Sequence, residues 1–223
     1  MKSRWLLILT LSLGLRAGGQ SVQQFDRFMD KLQKSSNAIT DSEISVLFLY
    51  TGEAYGPLNN ALRLQDDREI GPHRTMICTM DRVFEKAGLP VRNIKVYRGH
   101  SFLPENWNKV GHEFTLRAYS SASLNVNVAR RFAGYSRGKA SIIDVITVPG
   151  PDLKAALWID YFSAYRQAEQ LYNDYDKGED EVLLARGLRV RVKGVEKKRS
   201  LFDQSTYRYL EVIGIDRYPI QCP

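Results

Sequence analysis

The sequence has few of the residues that commonly ligate metals. Its 223 residues include only three histidines and two cysteines. His112-Glu113 does not begin a His-Glu-x-x-His zinc motif, because residue 116 is leucine. A phosphate-binding loop of the Gly-x-x-x-x-Gly-Lys type is missing as well, which disfavours a nucleoside triphosphatase. We therefore expect no metal and no triphosphate chemistry.

Long apolar runs are also scarce, and the main one lies at the N-terminus. Two basic residues precede an almost wholly apolar stretch at 5–15, and small residues follow at 17–19. The run is shorter than the roughly 20 residues that span a bilayer. This pattern predicts a secretory signal peptide over 1–19, no membrane span, and a mature single domain over 20–223.

Positive charge is modest and scattered. Loss of the signal peptide would lower the formal net charge from +7 to +4. The densest basic run, 193–199, is predicted to be the solvated tip of a hairpin. Because nucleic-acid binding calls for a concentrated basic stripe with aromatic side chains, we expect no nucleic-acid partner. We also expect the protein to be a monomer. In an exported chain Cys78 and Cys222 favour a disulfide from the C-terminal tail to an internal helix, with two separate thiols as the alternative.

The order of elements predicts an α+β fold. Apolar residues recur at helical spacing from Phe25 to Leu32 and from Tyr55 to Leu62, and again over Thr75–Ala87. Short β-type segments follow from Ile94 onward, with one short helix predicted at Val126–Ala133. The strand segments are Ile94–Gly99, Phe114–Tyr119, Ser141–Val148, the alternating stretch from Leu188 to Val192, and Tyr207–Ile215. Helices first and strands afterwards indicate α+β rather than a doubly wound sheet.

Two glutamates near the end of the chain form a candidate site. Glu179 and Glu181 precede the apolar run Val182-Leu183-Leu184, which predicts a buried strand. On an extended strand the two carboxylates would share one face and repel each other, unless a cation or a reacting ligand lies between them. A solvated acidic turn is the alternative for this pair alone.

Three strand-edge motifs together resemble those of a known enzyme family. They are Tyr97-Arg98-Gly99, the serine-rich segment Tyr119–Ser123, and Glu179-Asp180-Glu181. In this order they resemble the arginine, Ser-Thr-Ser and Glu-x-Glu motifs of the cholera-toxin-like mono-ADP-ribosyltransferases, especially the bacterial toxins and effectors that modify arginine. Segments 55–63 and 128–133 look like two helices of that family. The resemblance implies N-terminal helices, a split β-sandwich, and NAD as co-substrate in a central cleft.

The resemblance also implies a role for each residue of the site. Arg98 would bind the NAD pyrophosphate, and the backbone of Gly99 would approach the nicotinamide amide. Ser121 would orient Glu181 by a hydrogen bond, although Ala122 takes the place of the family's middle threonine. The carboxylate of Glu181 would stabilise the positive charge that builds on the ribose. Phe132 would stack on the nicotinamide ring.

The acceptor is expected to be an arginine of a target protein. A protonated guanidinium is a poor nucleophile, so a second carboxylate, Glu179, would hold and partly discharge it. Tyr175, in a loop longer than the family's usual one, would contact that protein or else pack on its own loop. Actin and small GTPases are common targets in the family, and nothing in the sequence selects one. An NAD glycohydrolase and a catalytically silent binding module remain as alternatives; joint retention of both glutamates, Arg98 and Ser121 disfavours the latter.

Overall fold

Residues 41–87 are almost entirely helical in the computed structural model. The structure describes residues 38–89, 93–100, 105–134, 141–159, 180–199 and 204–223. The predicted signal peptide, the predicted helix near Phe25, Tyr175 and Glu179 lie outside these residues. The helical elements are α1 (Asp41–Leu49), a π-helix (Tyr50–Ala54), α2 (Tyr55–Leu64), α3 (Asp67–Ile70), a 3-10 turn (Gly71–His73) and α4 (Arg74–Ala87). None of the described helices is long and apolar enough to cross a bilayer.

Local sequence explains where these helices begin and what they bury. Thr40 and Glu43 form a capping box at the start of α1, with Thr40 N donating to Glu43 Oε2 at 2.9 Å. Helix α4 presents a stripe of fully buried side chains, Ile77, Met80 and Phe84 among them, to the core. The spacing-based predictions of α2 and α4 are therefore confirmed.

From Ile94 onward, the described residues contain one mixed sheet of eight strands. The strands are β1 (Ile94–His100), β2 (Glu113–Leu116), β3 (Ser120–Ser123), β4 (Ser141–Val148), β5 (Ala156–Trp158), β6 (Glu181–Leu184), β7 (Leu188–Arg199) and β8 (Gln204–Ile215), with helix α5 (Val126–Phe132) between β3 and β4. Their spatial order is β2-β7-β8-β4-β1-β3-β6-β5. Helices followed by a sheet confirm the α+β class.

The sheet is nearly divided between β1 and β3. Among the described residues one registered pair, Tyr97 with Ser123, joins these two strands, whereas β1 and β4 pair along seven residues. Strands β3, β6 and β5 form the smaller part, and β2, β7, β8, β4 and β1 form the larger one. Residues at this narrow joint can approach one another from both parts of the sheet.

The basic run 193–199 is not a hairpin tip. It continues β7, and residues 194–199 pair with residues 204–209 of β8. The β7–β8 ladder is thus longer than the sequence predicted, because this part of β7 has exposed charged residues on both faces and shows no apolar alternation. Lys197 and Lys198 are both exposed, although adjacent side chains of a strand point to opposite faces.

The C-terminal tail after β8 is fastened to the helical half. Cys78 of α4 and Cys222 form a disulfide across a sequence separation of 144 residues, so the predicted pairing is confirmed. Arg186 donates to both carboxylate oxygens of Asp81 and, through Nη1, to the carbonyl of Tyr218 at 2.7 Å. Residues 216–223 therefore have a defined path beside α4.

Candidate active site

Glu181 opens β6 next to the joint in the sheet. Its side chain is buried, with the residue only 7% exposed. The hydroxyl of Ser121, on β3, donates a hydrogen bond of 2.5 Å to Glu181 Oε1. The predicted contact between these two residues is present, and the bond fixes the orientation of one carboxylate oxygen.

Asp180 directly precedes this strand and does not have an extended backbone conformation. It has φ of +47°, the left-handed conformation that aspartate tolerates better than most side chains. Strand β6 begins only at Glu181, and the carbonyl of Asp180 accepts from Leu124 N at 3.0 Å. The described strand therefore does not include Asp180, and the prediction that Glu179 shares a face with Glu181 stays a prediction. Glu179 itself lies outside the described residues.

Arg98 of β1 contacts the neighbouring residue of the serine motif. Its Nη1 donates to Ser120 Oγ at 2.7 Å, and Ser120 is buried. Burial lowers the pKa of Arg98, with repulsion from Arg63 acting in the same direction and the charge of Asp144 opposing both. Arginine remains protonated at neutral pH in spite of such a shift, so Arg98 provides a fixed positive charge.

Tyr50 is a buried tyrosine that lies within reach of the charges of both Arg98 and Glu181. Its ring is buried, and its hydroxyl accepts from Asn59 Nδ2 at 2.9 Å. Burial raises the pKa of Tyr50, and the charge of Glu181 raises it further while that of Arg98 lowers it. Both charges therefore act on the same hydroxyl. Arg98 is hydrogen-bonded to Ser120 and Glu181 to Ser121, two serines whose side chains point to opposite faces of β3. The π-helix that begins at Tyr50 adjoins this site.

A cleft of about 750 Å³ opens beside Arg98. Its volume lies within the range of small-molecule sites. Five arginines line it against two carboxylates, so its wall is strongly positive: the arginines are Arg63, Arg98, Arg117, Arg208 and Arg217, and the carboxylates are Asp144 and Asp216. Such a wall suits an anionic ligand, and a guanidinium binds phosphate oxygens in pairs.

Arg208 and Asp144 form a buried ion pair at the cleft wall. Arg208 Nε and Nη2 donate to the two oxygens of Asp144 at 2.7 and 2.8 Å, and both residues are 1% exposed. His100 Nε2 lies 2.7 Å from Asp144 Oδ2. Burial would raise the pKa of Asp144, but the hydrogen bonds from His100 and Arg208 and their charges outweigh it and hold the pKa below its usual value.

Gly99 lies directly beneath helix α5. A Cβ atom at this position would meet the carbonyl oxygen of Ala129 at 1.9 Å and the amide nitrogen of Ala133 at 2.7 Å. Glycine is thus required for the helix to approach β1 so closely. Phe132 ends this helix, and its ring is 64% exposed.

The structure brings most of the predicted residues to the same region. Arg98, Gly99, Ser121 and Glu181 lie on the strands around the joint, and Phe132 lies on the helix packed against β1. Sequence reasoning assigned no role to other residues there, namely Tyr50, Asn59, Ser120, Asp144, Arg208 and the tail residue Arg217. A signal existed for Asn59, which lies in the segment that resembles a family helix. Among the described residues there is no group of three or more His, Cys, Asp or Glu side chains that could hold a metal ion.

Comparison with known sequences gives two matches. A family model described as ADP-ribosyltransferase exoenzyme matches residues 25–214. Secreted exoenzyme S of Pseudomonas aeruginosa is 34% identical over 139 residues, which are 60% of this chain and 27% of that protein. The matched region therefore spans little more than a quarter of this relative.

Solved structures share the fold at lower identity. The Vis toxin, an ADP-ribosyltransferase from Vibrio splendidus, superposes with a TM-score of 0.59 at 20% identity, over 89% of this chain and 88% of that one. The C3stau2 structure from S. aureus, determined with NAD, gives a TM-score of 0.61 at 18% identity, over 89% and 98%. The helix-then-sheet architecture is thus shared with bacterial toxins of this kind.

Proposed function

Because the chain belongs to the family of ADP-ribosyltransferase exoenzymes, we propose that it transfers ADP-ribose from NAD to an arginine of a target protein. The observation that carries this proposal is the hydrogen bond of 2.5 Å from Ser121 to the buried Glu181, beside the cationic cleft of Arg98. NAD is the co-substrate, and hydrolysis of NAD by water is a side reaction. The chain is secreted after cleavage of its first 19 residues and acts on a protein of a host or target cell, where it contributes to virulence.

The catalytic role falls to Glu181. When the bond between nicotinamide and ribose breaks, the cationic pyridinium leaves as a neutral molecule, so the leaving group needs no acid. Positive charge builds on the ribose, and a carboxylate beside the sugar stabilises it. Ser121 holds one oxygen of that carboxylate, which leaves the orientation of Glu181 set before the substrate arrives.

The phosphate-binding role falls to Arg98. One of its nitrogens is engaged by Ser120, which anchors the guanidinium and leaves its other N–H groups for the NAD pyrophosphate. Arg63 lines the same cleft, and its charge disfavours the charge of Arg98. A dianion between the two guanidinium groups would relieve this repulsion, which supports a pyrophosphate at that point.

The acceptor is assigned to arginine because of Glu179. The Glu-x-Glu order resembles that of the arginine-modifying branch, and a second carboxylate suits a guanidinium acceptor. Tyr175 contacts the target protein, and Phe132 stacks on the nicotinamide while the backbone of Gly99 faces its amide. The exposure of the Phe132 ring supports its availability for stacking. Actin and small GTPases are candidate targets.

Labelled NAD added to residues 20–223 and a host-cell lysate tests the activity. We expect one or more proteins to be labelled, and peptide mapping to locate the label on arginine. Glu181→Gln keeps the size and one acceptor oxygen of the side chain, and should abolish both labelling and NAD hydrolysis. Glu211→Gln, at a half-exposed glutamate paired with Lys193, is the matched control and should label normally.

Three results would contradict parts of this assignment. A wild-type protein that neither binds nor cleaves NAD would contradict the proposed transferase activity. NAD cleavage with no labelled protein in any lysate would identify a glycohydrolase instead. Labelling of a residue other than arginine, or full labelling by Glu179→Gln, would overturn the acceptor and the role of Glu179 while leaving Glu181 in place.

A further inference from the structure

The C-terminal tail forms part of the cleft wall. Residues 216–219 line the same cleft as Arg98, on the side formed by Arg63 and β2. Asp216 N donates to Gly187 O at 2.6 Å, Arg186 holds the Tyr218 carbonyl, and the disulfide holds Cys222 on α4. Three anchors thus fix a segment that belongs to no helix or strand.

Arg217 is the cationic residue of this segment, and most of its hydrogen-bonding capacity is unused. Its Nε and Nη2 atoms are buried and have no hydrogen-bond partner among the described residues. Its Nη1 lies 3.3 Å from Oε1 of Glu85, a carboxylate that is 60% exposed and therefore a weak partner. Nε and Nη2 form the guanidinium edge that binds two oxygens side by side. Buried donors of this kind are normally satisfied, so these two N–H groups are available to an additional acceptor.

The position of Arg217 relative to Ser121 and Glu181 indicates which part of a ligand it would meet. Arg98 and Ser120 lie on the cleft wall, whereas neither Ser121 nor Glu181 is among the described residues that line it. The lining of the cleft therefore connects Arg98 with the C-terminal tail. A dinucleotide with its nicotinamide ribose at Glu181 and its pyrophosphate at Arg98 would place its adenosine half in this cleft.

We propose that Arg217 is a nucleotide-binding residue that donates to the phosphate of the adenosine monophosphate half of NAD, and that the Cys78–Cys222 disulfide keeps it in position. The side chain of Arg217 is 22% exposed and has only the weak contact with Glu85 to give up. To use its Nε–Nη2 edge in the cleft that it lines, Arg217 would turn its guanidinium when the ligand binds. This inference rests on the proposed use of NAD, and it adds a residue of the tail to the motif residues on the strands.

Calorimetric titration with NAD, ADP-ribose and nicotinamide mononucleotide tests the contact. Arg217→Ala should weaken NAD and ADP-ribose binding by about tenfold or more, the usual loss for a hydrogen bond to a charged group. Binding of nicotinamide mononucleotide, which lacks the adenosine half, should change less than twofold. Arg189→Ala removes the same charge at a half-exposed position on β7 outside the cleft, and should bind all three ligands as the parent does.

The role of the disulfide is tested with the same titration. Cys222→Ser should weaken ADP-ribose binding by a factor similar to that of Arg217→Ala, and the double variant should lose no more than either single one. Circular dichroism and a thermal melt verify that each variant is folded at the titration temperature. Arg217→Lys, which keeps the charge but not the paired donors, should fall between alanine and the parent.

The outcomes separate this inference from the proposed function. If the parent binds NAD and folded Arg217→Ala binds NAD and ADP-ribose equally well, the role of Arg217 is refuted and the transferase proposal stands. Equal weakening of nicotinamide mononucleotide would also refute the assignment to the adenosine half. A parent that binds no NAD contradicts both proposals. Additive losses in the double variant would refute the link between the disulfide and Arg217.

Discussion

The carboxylate of Glu181 bonds to the hydroxyl of Ser121, although the register of β3 and β6 places Ser123 directly opposite it. The contact is therefore a diagonal cross-strand pair, in which one side chain reaches two residues along the neighbouring strand. The hydrogen bond therefore orients the Glu181 carboxylate along the strand towards Ser121. The hydroxyl of Ser121 is consequently a positioning group for Glu181 rather than a reacting one.

Ser121→Ala should lower kcat for NAD cleavage by roughly tenfold to a hundredfold, the order expected when one charge-assisted hydrogen bond worth about 1.5–3 kcal/mol is lost. KM for NAD should change little, because Arg98 and Ser120 remain in place. Steady-state NAD hydrolysis measures both constants. Ser121→Thr retains a hydroxyl and should keep most of the parent's kcat. If Ser121 had a purely structural role, Ser121→Ala and Ser121→Thr would not differ in kcat.

Ser45→Ala is the control for this experiment. Ser45 is exposed on α1, and its hydroxyl donates to the carbonyl of Asp41. Its removal should leave kcat and KM unchanged. An Ser121→Ala variant with the parent's kcat would mean that the contact with Glu181 has no part in catalysis.

Gly99→Ala should destabilise the fold by about 3 kcal/mol or more, because the new methyl group would overlap the backbone of α5 at Ala129. Urea denaturation followed by circular dichroism measures the free energy of unfolding. Gly56→Ala in α2 is the control: no atom lies within 4 Å of its Cβ position, and alanine should stabilise the helix by up to about 1 kcal/mol. Equal stability of the Gly99→Ala variant and the parent would show that α5 does not sit against β1.

Much of the scaffold could be predicted because it follows regular patterns. Helix α4 repeats apolar residues at helical spacing, and β4 coincides with the predicted strand Ser141–Val148. Helix α1 was missed because its apolar residues form no clear stripe, although Thr40 and Glu43 give the capping signal. Arg208 alternates with tyrosines on β8 and so resembles a solvent-facing residue, yet it is buried against Asp144.

The motif residues could be found because they are consecutive in the sequence, whereas the rest of the site depends on long-range contacts. Arg217 comes to the cleft only because the chain crosses back over the helices and is fixed there through Cys78. The conformation of Asp180 could not be predicted either, since a left-handed residue before a strand leaves no periodic trace. The motifs therefore led to the candidate residues on the strands but not to the residues that line the cleft beside them.

Arg98→Lys should weaken NAD binding by about tenfold to a hundredfold without changing the free energy of unfolding by more than about 1 kcal/mol. A lysine ammonium cannot hold Ser120 and also present paired donors to a pyrophosphate. Calorimetric titration with NAD gives the affinity. Arg191→Lys, at an exposed arginine paired with Glu113 on the outer strands, should bind NAD normally. An unchanged affinity of Arg98→Lys for NAD would contradict the proposal that Arg98 binds the pyrophosphate.

Asp144→Asn should destabilise the protein at pH 7 by about 3–5 kcal/mol, because it leaves the guanidinium of Arg208 buried without its counter-charge. The pKa of Asp144 is lowered in the folded state. Its stabilising contribution is therefore complete above the unfolded pKa of about 3.9 and is lost as the pH falls through the lower folded value. Urea denaturation at pH 7 and at several values below 4 should show the parent losing stability over that acid range and approaching the variant. Asp152→Asn, at an exposed aspartate, should follow the parent at every pH. Equal stability of Asp144→Asn and the parent at pH 7 would contradict this prediction, because it would mean that Arg208 stays buried without its counter-charge at no cost.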